Sequence, residues 1–213
     1  MTDHTPTEDE INARANEKAR KRKAARDKML ATKTKEKGLL IVHTGKGKGK
    51  STAAFGLVTR AIGNGMAVGV VQYVKGKWET GERHVLERFP DQVTIKTMGE
   101  GFTWETQDRA RDIGAAEAAW AASKAMIEAC RTTPPQYDMV LLDELNIVLR
   151  YDYLPLDEVI DVLSNRPPDL HVIVTGRNAK PELIEIADLV TEMTQIKHPF
   201  REQGVKAQKG IEF

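Results

Sequence analysis

Residues 39–52 read LLIVHTGKGKGKST, an apolar run followed by three alternating glycines and then by Lys50, Ser51 and Thr52. The apolar run predicts a buried β-strand, and the residues after Gly49 predict a helix that begins at Lys50. Alternate glycines let the backbone curl so that successive N–H groups point inward, beside the positive end of the helix dipole. The stretch therefore predicts a loop that binds phosphate.

The loop departs from the usual formula G-x-x-x-x-G-K-[ST], because Thr44 stands where the first glycine belongs. In that formula Lys50 lies against phosphate oxygens and the Ser51 hydroxyl coordinates Mg²⁺. A flexible glycine–lysine linker is the alternative interpretation, but a linker would not lie between an apolar strand and a helical pattern. The candidate nucleotide-binding residues here are Gly45, Lys46, Gly47, Lys48, Gly49, Lys50, Ser51 and Thr52.

A second apolar run, over residues 139–142, ends in Asp143 and Glu144. In phosphate-loop proteins such a strand lies beside the first strand, so that its terminal carboxylates face the Mg²⁺ ion and the phosphates. We therefore expect the two strands to be neighbours and both acids to be candidate metal ligands. Capping of the helix that follows is the alternative role for the two acids.

After residue 38 the chain alternates short apolar runs with longer amphipathic ones, a pattern typical of parallel strands and crossover helices. Predicted strands cover residues 39–43, 67–74, 93–98, 139–143, 171–175 and 189–193, and predicted helices cover 50–62, 82–88, 107–131, 156–163 and 181–187. A chain of 213 residues, 40% of them hydrophobic, is long enough for one sizeable core. We expect one α/β domain over 38–213, a P-loop (RecA-like) fold with a mostly parallel six-stranded sheet flanked by helices.

The segment 1–37 differs from the rest in composition. Residues 1–10 are polar without periodicity, whereas 11–37 are rich in Ala, Lys, Arg and Glu, which are good helix formers. We expect a frayed tail and then a basic helix that ends at Gly38, and such a helix needs a docking partner to be ordered. Residues 14–37 hold eleven Lys/Arg against three Asp/Glu. A lid on another subunit, a nucleic-acid tail and a solvated helix face are therefore all open interpretations.

Composition narrows the class of protein. The formal net charge of +1 lacks the strong positive field of a dedicated nucleic-acid binder, so nucleic acid is not the expected partner of the whole chain. The single cysteine, Cys130, excludes an internal disulfide framework and an all-cysteine metal site within one chain. No apolar run approaches the roughly 20 residues needed to cross a bilayer, and the first residues are polar and acidic rather than a signal sequence. We expect a cytoplasmic protein without a membrane partner.

Residues 98–107 read MGEGFTWETQ and follow a predicted strand, so they fall at the sheet edge where ligands of open α/β sheets bind. Phe102 and Trp104 stand there beside glycines rather than in a core helix. Rings in such a place commonly cover a flat ligand, although packing onto the domain is the alternative.

At this point the chain resembles a known family, the ATP:corrinoid adenosyltransferases of cobalamin biosynthesis, also called cob(I)yrinic acid a,c-diamide adenosyltransferases. The resemblance runs over residues 38–213. It rests, in chain order, on residues 43–54, 99–104, 142–144, 151–156, 174–177 and 204–211. The departure at Thr44 resembles this family's own version of the loop, so the missing first glycine supports the assignment.

The resemblance implies a reaction in which the Co(I) centre of a corrinoid attacks the 5′ carbon of ATP and expels triphosphate. Such a reaction needs positioning and stabilisation of negative charge on the leaving group, but no general base. Lys50 suits that task. By family likeness Ser51 and Glu144 assist at Mg²⁺ or Mn²⁺ and the nucleotide, with Asp143 a weaker candidate. Arg60 and Arg177 contact ATP in the same likeness.

The family likeness also assigns the corrinoid side of the site. The aromatics that match Phe102 and Trp104 press on the lower face of the corrinoid and displace its axial ligand, which makes four-coordinate Co(II) easier to reduce. The catalytic candidates are thus Lys50, Phe102 and Trp104. Implied partners are reduced flavodoxin or a flavin as electron donor and a second copy of the chain, since in the family a helix corresponding to 11–37 covers the partner's active site in a homodimer.

Some residues fit the likeness less well, and other functions remain open. Relatives often carry Asn or Asp where this chain has Lys46, which weakens any ribose contact assigned there. His43 is interpreted as a packing residue and His198 as structural.

A RecA-like ATPase or motor would share the loop but release ADP and phosphate, whereas a nucleotide kinase would need an arginine cluster over the transferred phosphate that the sequence does not offer. A carrier that hands over the adenosylated corrinoid is compatible with catalysis.

Overall fold

The computed structural model describes residues 7–74, 80–98 and 108–212. The loop predicted to cover a flat ligand, which includes Phe102 and Trp104, lies outside the described residues. The chain divides into two compact units, Met1–Glu36 and Lys37–Phe213.

Helix α1 spans Glu8–Leu30, so the expected helix over 11–37 was wrong at both ends. It begins early because Thr7 and Glu10 form a capping box, in which each side chain accepts a hydrogen bond from the backbone N–H of the other, at 3.3 and 2.9 Å. Near its end the hydroxyl of Thr32 donates to the carbonyl of Met29 at 2.7 Å. None of the residues of α1 is buried, as expected from its composition.

Within the described residues of the second unit, six strands form one parallel sheet, which confirms the predicted architecture. The strands are β1 Leu40–Thr44, β2 Val68–Gln72, β3 Val93–Thr97, β4 Met139–Asp143, β5 His171–Thr175 and β6 Leu189–Glu192. Their order in the sheet is β3-β2-β4-β5-β1-β6. In the register, Leu40 lies opposite Val172 and Val68 lies opposite Met139.

Helices cover both faces of this sheet. They are α2 Lys50–Gly63, α3 Gly81–Leu86, α4 Arg109–Glu128, α5 Leu145–Arg150, α6 Leu156–Ser164, α7 Pro181–Ile186 and α8 Pro199–Gln203, with a 3₁₀ turn Ala129–Arg131 after α4. Ile41 of β1 belongs to the core on one face, together with Phe55 and Val58 of α2, whereas its neighbour Val42 belongs to the core on the other face, which includes Trp120 of α4. The alternation follows from the period of two in a strand. In the described ranges, none of the helices is long and apolar enough to span a membrane.

Two predictions about the neighbourhood of β4 need correction. The strand was expected to lie directly beside β1, but β5 lies between them, so this expectation was wrong. Helix α5 follows Glu144 immediately, as the capping alternative required, but its range was missing from the predicted helices because six residues are too few for a helical period to stand out. The carboxyl ends of β1, β5 and β4 nevertheless lie along the same edge of the sheet, because all three strands are parallel.

Candidate active site

The phosphate loop begins one residue later than the usual formula requires. Thr44 is still the last residue of β1, and its buried hydroxyl accepts a hydrogen bond from the backbone N–H of Ala179 at 2.9 Å. Gly45 then turns the chain with φ of 97°, and a Cβ there would lie 2.4 Å from the carbonyl oxygen of Met193. The turn therefore requires glycine at 45 and not at 44, which explains why a threonine can stand at the first position of the formula.

The middle of the loop packs against the chain that follows β6. The N–H of Gly47 donates to the carbonyl of Met193 at 2.7 Å, and the N–H of Met193 donates to the carbonyl of Thr44 at 2.9 Å. The expectation that successive N–H groups of the loop point inward was therefore wrong at Gly47, whose N–H is used in this contact. The rest of the loop leads through Gly49 into the first turn of α2.

Lys50 opens α2 and is buried, with 6% of its surface exposed. Its Nζ donates to the carbonyl of Gly47 across the loop. Burial lowers the pKa of the Lys50 ammonium group, the negative charge of Glu144 acts in the opposite direction, and the positive charges of Arg177 and Lys48 lower the pKa further. Glu144 and Arg177 thus lie within electrostatic range of Lys50. The fold therefore brings together predicted residues from the phosphate loop, from the turn after β4 and from the turn after β5.

His43 contacts the backbone of the same loop. The imidazole is buried on β1, and its Nδ1 lies 3.3 Å from the carbonyl oxygen of Lys50. Because a carbonyl only accepts, Nδ1 carries the proton in this contact and donates it. The interpretation of His43 as a packing residue agrees with this position.

The two acids that follow β4 have different environments. Asp143 is fully buried, and its Oδ1 accepts a hydrogen bond from the hydroxyl of Thr175 at 2.8 Å while its Oδ2 lies 3.4 Å from the Nε2 of Gln72. The same Thr175 hydroxyl accepts a hydrogen bond from the backbone N–H of Glu144 at 2.9 Å. Glu144 has φ of 68°, a left-handed conformation that is uncommon for residues other than glycine. The hydroxyl of Thr175 therefore joins β5 to the acidic pair and supports the turn that exposes Glu144 to the loop.

The turn after β5 packs closely on this acidic pair. Gly176 has φ of 124°, and a Cβ there would lie 2.8 Å from the Cβ of Asn146 and 3.2 Å from the Oε2 of Glu144. The side-chain amide of Asn146, which is buried, donates to the carbonyl of Gly176 at 3.1 Å. Arg177 follows this turn, and its positive charge acts on Lys50. The sequence contained Thr175 and Gly176 within a recognised segment, but their part in the site could not be read from it.

The remaining predicted residues differ in their exposure and in their distance from Lys50. Ser51 is half-buried in the first turn of α2, whereas Lys46, Lys48 and Thr52 are exposed. Arg60 is exposed in the last turn of α2, about 15 Å from Lys50 along the helix axis at 1.5 Å per residue. The helix therefore does not bring Arg60 to the loop, and its contact with ATP stays a prediction.

The donor atoms at this edge fit a divalent cation of the magnesium type. Among the described residues, no group of three or more His, Cys, Asp or Glu side chains could hold a metal ion. The hydroxyl of Ser51 and the carboxylate of Glu144 are oxygen ligands, and Mg²⁺ commonly takes one or two carboxylates together with waters and substrate phosphates. A cation bound here would thus depend on the nucleotide for part of its coordination.

Glycine-rich turns that present a buried lysine at the start of a helix, with an acidic pair further along the same sheet edge, hold nucleoside triphosphates in α/β proteins. The fold and the site accordingly define a phosphate-loop nucleotide-binding protein. Comparison with known proteins then gives the family. The model of the family described as ATP:corrinoid adenosyltransferase BtuR/CobO/CobP matches residues 36–213, and the chain belongs to this family.

Individual relatives agree over most of the chain. A corrinoid adenosyltransferase from Sinorhizobium sp. is 57% identical over 204 residues, which cover 95% of this chain and 92% of the relative. The corrinoid adenosyltransferase of Pseudomonas aeruginosa is 51% identical over 204 residues, 96% of this chain and 98% of that protein. The corrinoid adenosyltransferase CobA of Salmonella typhimurium is 48% identical over 187 residues, 88% and 91% respectively. The resemblance seen in the sequence motifs is thereby confirmed.

Proposed function

We propose that this chain transfers the 5′-deoxyadenosyl group of ATP to the Co(I) centre of a corrinoid and releases triphosphate. The observation that carries the proposal is the buried ammonium group of Lys50 at the start of α2, within electrostatic range of Glu144 and Arg177. This arrangement suits an anionic group that must be held and stabilised, and membership of the adenosyltransferase family supplies the reaction.

In the proposed reaction the corrinoid cobalt is the substrate nucleophile. It supplies an electron pair to C5′ of ATP, the Co–C bond forms as the C5′–O bond breaks, and the triphosphate leaves with the electron pair of the broken bond. The protein has to place the two substrates and to stabilise the charge that develops on the leaving oxygen. Lys50 and the available N–H groups at the start of α2 act on that charge, and Arg177 approaches the same region from the turn after β5.

Ser51 and Glu144 would hold the divalent cation, Mg²⁺ or Mn²⁺, which when bound neutralises charge on the triphosphate. We assign Asp143 a positioning role instead, because its two oxygens lie in the buried network with Thr175 and Gln72. The carboxylate of Glu144 is turned towards Gly176 and acts on Lys50, so it is the better metal ligand of the two.

Other parts of the proposal rest on the family likeness or, for the location, on composition. They comprise Phe102 and Trp104 on the lower face of the corrinoid, reduced flavodoxin or a flavin as electron donor, a homodimer, and a cytoplasmic location. We also propose that residues 1–37 form a tail and basic helix distinct from the adenosyltransferase domain over 38–213. The proposed cation is Mg²⁺ or Mn²⁺, and the proposed corrinoid is cobyrinic acid a,c-diamide, cobinamide or cobalamin.

One assay tests the reaction directly. The purified chain is mixed with ATP, a divalent cation and a chemically reduced corrinoid, and the absorbance change on Co–C bond formation is followed while the phosphate products are separated by chromatography. We expect one triphosphate for each corrinoid alkylated and no reaction without ATP. Release of orthophosphate with the reduced corrinoid left unalkylated would refute the proposal and indicate an ATPase.

The aromatic assignment has its own test. Trp104→Ala should retain ATP binding and the reaction with chemically prepared Co(I), but should lose adenosylation that starts from Co(II) with a flavodoxin-type reductant, because the axial ligand is no longer displaced. Equal turnover of variant and parent under that reductant would exclude this role for Trp104.

A further inference from the structure

The C-terminal tail of the chain reaches the phosphate loop. After α8 the tail turns on the carbonyl of Gln208, which accepts hydrogen bonds from the N–H groups of Ile211 and Glu212 at 3.1 and 2.9 Å. The carboxylate of Glu212 accepts a hydrogen bond from the Nζ of Lys48, 164 residues away in the chain. We call this Lys48–Glu212 pair the tail latch.

The two partners of the tail latch are unequally exposed. Lys48 has 51% of its side-chain surface exposed, whereas Glu212 has only 22%. The carboxylate is thus partly withdrawn from water and held against the loop. An ion pair between freely exposed side chains contributes little, but a partly covered carboxylate at a cationic loop is screened less by solvent.

Lys48 belongs to a cluster of positive charges. Its charge and that of Arg177 both lower the pKa of Lys50, so the cations of the loop repel one another. The negative charge of Glu144 acts on Lys50, and the carboxylate of Glu212 accepts the hydrogen bond from Lys48. Glu212 therefore binds the ammonium group of Lys48, which a polyanion such as triphosphate would also contact when bound in the loop.

We propose that Glu212 is a positioning residue which occupies the ammonium group of Lys48 and is displaced by the triphosphate of ATP or by the triphosphate product. The proposal rests on the proposed function, since it takes triphosphate as the ligand of the loop. A carboxylate and a triphosphate cannot both neutralise the same ammonium group without repelling each other, so tail docking and triphosphate binding oppose one another. By thermodynamic linkage, triphosphate must weaken docking of the tail by the factor by which the tail weakens triphosphate binding.

The tail latch has a consequence for turnover. In the proposed reaction the leaving group is free triphosphate, which has the three phosphates of ATP but has lost the adenosine. When Glu212 returns to Lys48 it removes one of those contacts from the product, so the latch assists product release. Loss of the Glu212 charge should then tighten binding of triphosphate and slow its departure.

The experiment measures equilibrium binding of inorganic triphosphate and of ATP by calorimetry at low salt. The proteins are the parent chain, Glu212→Gln, Glu212→Asp, Lys48→Met and the double variant Lys48→Met/Glu212→Gln. We expect Glu212→Gln to bind triphosphate about two- to fivefold more tightly than the parent, the range typical of a single partly exposed ion pair. Glu212→Asp keeps the charge and should stay close to the parent, and the gain should vanish when Lys48 is already Met.

A second measurement follows the tail itself by hydrogen exchange of the amides of residues 205–212. Exchange should rise when inorganic triphosphate is added to the parent, and it should be raised without ligand in Glu212→Gln and in Lys48→Met. Unchanged or weaker triphosphate binding by Glu212→Gln, or an equal gain in the Lys48→Met background, would overturn the tail latch while leaving the proposed function intact. A parent chain that binds neither ATP nor triphosphate would overturn both.

Discussion

The two edges of the parallel sheet differ in how their charged side chains are paired. At the amino edge, where the strands begin, Asp188 accepts hydrogen bonds from Lys37, from the N–H of Leu40 at 2.9 Å and from Arg166 at 2.9 Å. One carboxylate there joins the starts of β1 and β6 to the residues before β5. At the carboxyl edge, by contrast, Lys50 is buried in a loop where Lys48 and Arg177 add further positive charge.

The carboxyl edge also contains unusual backbone conformations. The carboxyl edge contains Glu144 with φ of 68° and Gly176 with φ of 124°, both held by contacts with neighbouring turns. A residue with a side chain, such as Glu144, persists in the left-handed region only when its surroundings support it, and such residues concentrate where ligands bind. The comparison indicates that the amino edge stabilises the fold, whereas the carboxyl edge holds groups in positions that serve a ligand at the expense of stability.

The largest expected effect is that of Lys50→Met, which should separate activity from stability at the carboxyl edge. Adenosyl transfer should fall about 10²- to 10³-fold, as is usual when one preorganised donor to a developing anion is lost. The melting temperature should stay the same or rise, because burial opposes the charged form of Lys50 and methionine carries no charge to desolvate. Steady-state rates and thermal unfolding measure the two quantities.

Lys96→Met is the matched control for that substitution, since Lys96 is exposed on β3 at one edge of the sheet. Lys96→Met should change neither the rate of adenosyl transfer nor the melting temperature. A Lys50→Met variant that unfolds several degrees below the parent would show that the buried lysine stabilises the fold, and the contrast between the two edges would fail.

A smaller effect is expected from Thr175→Val, which removes the hydroxyl between β5 and the acidic pair at almost constant volume. The hydroxyl donates to the buried Asp143 and accepts from the N–H of the partly buried Glu144, so its loss removes one hydrogen-bond partner from each. We expect about 1–3 kcal/mol of destabilisation and about 10- to 100-fold weaker apparent affinity for the divalent cation, as for other residues that orient a metal ligand. Titration of activity with Mg²⁺ gives the second value.

Thr175→Ser retains the hydroxyl and should recover both properties to a large extent. If Thr175→Val and Thr175→Ser lost stability equally while the cation requirement stayed at the parental value, Thr175 would act through packing alone. The acidic pair would then hold its conformation without help from β5.

How far the sequence predicts this molecule depends on the range of the interactions. Apolar runs identify β1, β2, β4 and β5 because these strands are buried along nearly their whole length, and burial of a strand is a local property of its residues. The runs also locate β3 and β6, although none of the residues of β3 is buried and those of β6 are exposed. The loop and Lys50 were likewise evident, since a glycine-rich turn between strand and helix is contiguous in the chain. The bridge through Thr175 and the contact of Glu212 with Lys48 could not be predicted, because both join segments whose proximity is decided by the strand order.

The smallest effect on activity is expected at the amino edge, from Asp188→Asn. Asparagine can still accept from the N–H of Leu40 but forms no ion pair with Lys37 or Arg166. The free energy of unfolding at neutral pH should fall by about 1–2 kcal/mol, a range for partly exposed hydrogen-bonded ion pairs, whereas adenosyl transfer should be unchanged. Asp169→Asn is the control, because Asp169 is an exposed acid just before β5.

The pH dependence of this difference separates charge from packing. The hydrogen bond from Lys37 holds the pKa of Asp188 below its usual value, and the N–H of Leu40 and the charges of Lys37 and Arg166 act in the same direction. A carboxyl group whose pKa is lower in the folded state than in the unfolded state stabilises the fold above the unfolded pKa, about 3.9, and this contribution is lost as pH falls through the folded value. The parent should therefore exceed Asp188→Asn in stability by a constant amount above about pH 5 and by progressively less below pH 4. Urea unfolding of both proteins from pH 7 down to pH 3 measures the difference in the free energy of unfolding. A difference that persisted unchanged at pH 3 would mean that the shape of Asp188, rather than its charge, stabilises the fold. The electrostatic basis for contrasting the two edges would then be lost.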